Sequence, residues 1–146
     1  MTRKIDTDLK DLKEIMLRMG GLVEAAIATV TQGLITRDLT ALKQTHEYER
    51  QINKLHIEVD EACLNILALQ APLAADLRLI LAIVKINSDL ERMGDQSVNI
   101  AYSGEHYLSK PAVKSDVNLP AIAHQVKLMV TKALDAFVRG DITSAQ

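Results

Sequence analysis

Tryptophan is absent from the chain, and its only aromatic side chains besides histidine are Tyr48, Tyr102, Tyr107 and Phe137. A platform on which successive nucleic-acid bases stack is therefore not expected. Neither sign of charge dominates. Seventeen Lys and Arg against nineteen Asp and Glu leave a formal charge of −2 and a pI near 6.1. The broad basic face with which nucleic-acid-binding proteins displace phosphate counterions is thus missing. Cys63 is the single cysteine, so no intrachain disulfide can form, and a reducing cytoplasm is the compartment this composition fits. Long apolar runs are missing too. The longest aliphatic stretch, Leu79 to Val84, is closed off by Arg78 and Lys85. A spanning helix needs about 20 apolar residues. The N-terminus, MTRKIDTDLKDLKEI, is too charged for a secretory signal. The expectation is a soluble protein that meets a membrane only through partner proteins, with no nucleic-acid partner.

Three prolines and six glycines in 146 residues leave few places to break a helix. From about Asp8 to Ile35, the residues Leu9, Leu12, Met16, Met19, Val23, Ile27, Val30 and Leu34 recur at three and four positions, the face of one long helix. Gly20-Gly21 within it reads as a close helix contact or a kink. Asp38 is placed to cap a second helix. The apolar stripe of that helix is Leu42, Ile52, Leu55, Val59, Ala62, Ile66 and Leu69, with Cys63 beside it as a small core residue. Pro72 ends the second helix and suits the first turn of a third, about Leu73 to Leu108. The first half of that third helix is apolar almost all round, which predicts a central position between neighbours. Residues 103–118 read as a frayed helix end and a linker, and a fourth helix starts near Leu119.

The fourth helix resembles the first. Shifting by about a hundred residues sets Val126 on Val23, Val130 on Ile27, Phe137 on Leu34 and Asp141 on Asp38. The chain then reads as all-α: a complete three-helix unit over residues 1–108, a linker over 109–118, and the first helix of a second unit over 119–146, cut short. Val126, Val130, Leu134 and Phe137 would lack a partner hairpin, and an uncovered stripe of that kind favours a dimer or higher oligomer.

Chemistry is concentrated on the third helix. Asn87, Glu91, Asp95 and Asn99 form a polar strip at four-residue spacing that continues the side of Leu77, Ile80 and Val84. If the second and third helices are antiparallel about Pro72, Asn53 is level with Glu91 and Glu49 with Asp95, and Glu24 reaches the same height from the first helix. Clustered carboxylates raise one another's pKa unless cations intervene. An oxygen-rich set suits Mg²⁺, Ca²⁺, Mn²⁺ or iron. The alternative is a solvated cluster paired by Arg50, Lys54 and Arg92. His46, His56, His106 and His124 are scattered and read as surface or helix-flank residues.

The segment LALQAPLAADLRLILAIVKINSDLERMGDQSVNIA, Leu67 to Ala101, resembles the signature of the PhoU family of phosphate-uptake regulatory proteins. ADLR and DLERMGDQSVNIA carry most of the likeness, and VEAAI at Val23 to Ile27 and the Asp38 turn agree with it. The resemblance implies two three-helix repeats and a Glu/Asp-x-x-x-Asp metal motif, here Glu91-Arg92-Met93-Gly94-Asp95. It also implies a related position at Glu49-x-x-x-Asn53, with Asn where the family usually has Asp. Iron, zinc, manganese or magnesium is the implied metal. The implied role is that of a non-catalytic, cytoplasmic negative regulator, commonly a homodimer. Such a regulator links the ATPase subunit of a phosphate ABC transporter to a sensor histidine kinase. In the second repeat, Lys127 stands where the first has Glu24. A dinuclear-metal carboxylate enzyme in a helical bundle and a purely structural dimerisation module are the competing readings.

Overall fold

The computed structural model describes residues 3–146. Its elements are α1 (Lys4–Thr36), α2 (Leu39–Gln70), α3 (Ala74–Leu108) and α4 (Leu119–Arg139), and no strand occurs among the described residues. The breaks fall where the local chemistry puts them. Arg37 takes a left-handed conformation (φ 54°) after α1, and the Asp38 carboxylate accepts from the N–H groups of Thr40 and Ala41 at 2.9 and 3.2 Å, capping α2. Ala71 closes α2 in the same left-handed region, and Leu73 is the N-cap of α3, so Pro72 lies in the loop rather than in the first turn. Asn118 caps α4 through Ala121.

The three-helix core has a clear axis. Ile5, Leu9, Leu12 and Met16 of α1 pack with Val59, Cys63 and Ile66 of α2 and with Ile80 and Ile83 of α3. Further along, Met19, Val23 and Ala26 meet Ile52, Leu55 and Leu90. Val30, Leu42 and Ala101 close the far end. The central helix is therefore α1, which touches all three others, and not α3. The apolar surround of α3 needs more neighbours than the two it has here, so Leu81 and Val84 face outward. Leu69, read as part of the α2 stripe, is likewise exposed, one residue before the helix ends.

By length and composition α1 could cross a membrane, although its apolar residues are interrupted by charged ones. Here its apolar stripe is covered by the other helices instead. It runs through Gly20-Gly21 without a break, and Gly20 is a contact point: a Cβ there would stand 2.2 Å from a methyl of Leu134 on α4. That contact buries Leu134 and Val130, two residues expected to be left bare. Gly94 and Gly104 are buried against Ile52 and against Leu34 and Leu42, which keeps α3 regular to Leu108 instead of fraying at 103.

The turn after α4 copies the turn after α1. Gly140 is left-handed (φ 66°), and the next residue, Asp141, accepts from the Ser144 N–H at 3.1 Å. In the first turn, Asp38 likewise reaches the N–H three residues on, at Ala41.

Candidate functional site

The polar strip on α3 enters the α2–α3 interface and then leaves it. Asn87 is fully buried, Glu91 and Asp95 are half-buried, and Asn99 is exposed. The cause is the slow rotation of a four-residue spacing around a helix of 3.6 residues per turn.

Glu91 and Asp95 are one helical turn apart on α3. Burial first, and then the neighbouring Asp95 carboxylate, hold the Glu91 carboxyl above the ordinary glutamate range, and Glu49 adds to the effect from α2. His56 acts the other way. Asn53 donates its amide to the Glu49 carboxylate, which fixes that side chain along α2. Four of the five expected residues are thus gathered on the α2–α3 face. Glu24 is turned to a different neighbour: its carboxylate accepts from the Thr131 hydroxyl of α4 at 2.8 Å. Residue spacing along the first three helices does not include that partner, which lies on α4.

The cationic pairing considered for this cluster does not form. Arg50 binds Glu47 at 2.6 Å, and among the described residues neither Lys54 nor Arg92 makes an ion pair. Nor, among them, do three carboxylate, imidazole or thiolate groups already converge on one point in the manner of a formed metal centre.

Two histidines lie deeper than a scattered surface distribution implies. The His56 ring lies 3.5 Å from Asp60, and Asp60 accepts from the Asn87 amide at 2.9 Å. The same amide donates to the His56 carbonyl at 3.0 Å, so one buried Asn ties two turns of α2 to α3. His56 Nδ1 and Asn87 Oδ1 are buried without a partner. This trio brings an imidazole to the edge of the acidic face. The sequence signal was present as His56-x-x-x-Asp60 at helical spacing, but the register obscured it. The contacts Ile52–Gly94 and Asp60–Asn87 centre the hairpin beyond Pro72, so Glu91 lies nearer the level of His56 than of Asn53. At the far end His46 pairs with Glu105 at 3.2 Å and meets the Tyr102 ring edge-on at 4.7 Å. Arg37 donates to the carbonyls of Leu108 and Lys110 at 3.1 and 2.6 Å, closing the C-terminus of α3. Cys63 is buried as expected, and burial pushes its thiol up to about 11, which keeps it protonated and unreactive.

The family description "PhoU domain" matches residues 16–103. The chain is 37% identical over 142 residues to the phosphate-specific transport system accessory protein PhoU homolog of Pseudomonas aeruginosa, covering 97% of this chain and 59% of that protein. To the Escherichia coli accessory protein PhoU it is 30% identical, again over 97% of this chain and 59% of the relative. It superposes on the crystal structure of PhoU from Pseudomonas aeruginosa with a TM-score of 0.91 and 37% identity, over 97% of this chain and 68% of that one. The chain therefore spans about three fifths of the length of these two accessory proteins.

Proposed function

The chain belongs to the PhoU family, and from that premise we propose that it serves a phosphate-specific transport system as an accessory, regulatory protein. The observation that carries this reading is the agreement of sequence and fold over nearly the entire chain with relatives whose names describe accessory proteins of phosphate transport. Those names also support a non-catalytic role. In the proposed mechanism the protein is a cytoplasmic homodimer. It couples the ATPase subunit of a phosphate ABC transporter to a sensor histidine kinase and keeps starvation signalling off when phosphate is ample.

The acidic face on α2 and α3 is proposed as the metal-responsive part of this adaptor. Its donor set fits a cation. Burial and the neighbouring carboxylates raise the Glu91 pKa, and among the described residues none of Glu91, Asp95 and Glu49 is taken up in an ion pair. Glu91, Asp95 and Glu49 would hold the ion, with Asn53 orienting Glu49. Bound there, an iron, zinc, manganese or magnesium ion would supply positive charge between two helices and so tie α2 to α3. Because the carboxylates do not yet converge, they have to turn towards one another to hold it.

The test is co-purification of the chain from membranes of phosphate-replete and phosphate-starved cells. The transporter's ATPase subunit is expected among the captured proteins, with the amount depending on phosphate status. Capture of neither transporter nor kinase under either condition would remove the adaptor reading.

A further inference from the structure

A relay of hydrogen-bonding groups beside the acidic face ends on bare lone pairs. It starts at Asn87, which is wholly buried between α2 and α3. The Asn87 amide nitrogen donates to Asp60 Oδ1 at 2.9 Å and to the His56 carbonyl at 3.0 Å. Both partners only accept, which fixes which way round the amide sits. The other Asp60 oxygen, Oδ2, lies 3.5 Å from His56 Nε2, one turn away on α2. A carboxylate beside one nitrogen of a neutral imidazole sets the ring proton there and leaves the lone pair on the other nitrogen. That other nitrogen, His56 Nδ1, is buried without a hydrogen-bond partner, and so is Asn87 Oδ1. Both are acceptors, so neither can satisfy the other.

Buried acceptors with nothing donating to them are costly, and a cation relieves that cost. The arrangement around His56 is also the one that prepares a histidine to bind a metal: a carboxylate holds the ring through one nitrogen and leaves the other for the ion. Asp60 supplies that carboxylate, and Asn87 holds Asp60 in turn. The ring stands beside the acidic face. The contacts Ile52–Gly94 and Asp60–Asn87 set the register of α2 against α3 and bring His56 close to the level of Glu91. Asn87 precedes Glu91 by one turn of α3. The donors available at this level are therefore mixed. Carboxylate and carbonyl oxygens alone suit magnesium and manganese, whereas an imidazole among them suits zinc and iron.

We infer that His56, through Nδ1, is a nitrogen ligand of the cation proposed for the acidic face, and that it selects zinc or ferrous iron there over magnesium and manganese. Asp60 is the positioning residue that keeps the lone pair on Nδ1. This rests on the metal part of the proposed function and decides among the metals named in it.

The experiment is calorimetric titration of the chelator-stripped chain with Zn²⁺ and, separately, with Mn²⁺, with helicity measured in parallel. His56→Gln is expected to weaken zinc binding about tenfold or more and manganese binding far less, so that the preference for zinc falls. Asp60→Asn is expected to weaken zinc binding about tenfold through the loss of ring positioning. His46→Gln removes an imidazole at the far end of the hairpin, paired there with Glu105, and is expected to leave zinc binding unchanged. Nitrogen NMR of the parent's histidine rings needs no variant: added Zn²⁺ is expected to move the His56 Nδ1 resonance and not those of His46. A parent that binds neither metal overturns the metal reading and this inference with it. A parent that binds zinc while His56 Nδ1 stays unmoved overturns the inference alone. So does an unchanged preference for zinc in His56→Gln, or an equal loss of zinc in His46→Gln.

Discussion

At the scale of single residues, the pair Glu91 and Asp95 sets the chemistry of the acidic face. Glu91 titrates above its ordinary range in the folded chain, so the folded state holds a proton that the unfolded state has released. The associated stability is complete below the unfolded-state pKa and is lost as pH rises through the folded-state one. Metal-free protein is therefore expected to lose stability with rising pH just above the ordinary glutamate range. Asp95→Asn removes the neighbouring negative charge and is expected to flatten that loss. A cation that binds only the folded form raises the melting temperature, and a chelator reverses the rise. In protein first supplied with Mn²⁺, the chelator is expected to lower the melting temperature of the parent and of Glu61→Gln, which alters an exposed carboxylate elsewhere on α2, and to leave Asp95→Asn unmoved. Thermal melts of the three proteins decide the matter. A parent insensitive to chelator after metal loading leaves the face as a cluster of carboxylates with no metal role.

At the scale of elements, the glycines of α1 serve opposite ends within one helix. Gly21 faces open space, and a methyl group there meets nothing within 4 Å. Gly21→Ala is expected to stabilise the protein by about 0.5–1 kcal/mol, the helix preference of Ala over Gly. Gly33 lies where α1 crosses the start of α2, and its Cβ would stand 2.8 Å from a methyl of Leu42 and 3.1 Å from the Leu42 backbone nitrogen. The methyl belongs to a fully buried side chain, and the backbone nitrogen cannot rotate away. Gly33→Ala is expected to destabilise by about 1–2 kcal/mol despite the same gain in helix preference. Chemical denaturation of both variants checks the contrast, and equal effects would mean that the crossing is looser than described.

At the scale of the whole molecule, α4 is attached along one line. Its buried residues Val130, Leu134 and Ala136 face the bundle, while most of its surface is open. Segments with few buried contacts open at lower free energy than the core that carries them. The amides of α4 are expected to exchange with solvent well before those of α1 between Leu12 and Val30. Hydrogen exchange read by mass spectrometry gives this directly. Uniform protection across α1 and α4 would show that the chain opens as one unit.

The spans of the four helices, the Asp38 cap, the buried Cys63 and the polar strip of α3 were all legible in the sequence, because each depends on neighbours within a few turns of one helix. Periodicity names the apolar positions of a helix without saying which of its neighbours will cover them. Only packing made α1 central rather than α3, covered Val130 and Leu134, and left Ile122 and Met129 bare. The register of the α2–α3 hairpin was also a tertiary matter. The loop through Ala71, Pro72 and Leu73 and the close approach at Gly94 shift it beyond the proline, and that shift brings His56 to the acidic face. Glu24 shows the same limit most plainly. Its height along α1 follows from counting residues, but its partner, Thr131, lies 107 positions away and is met only because α4 folds back across α1.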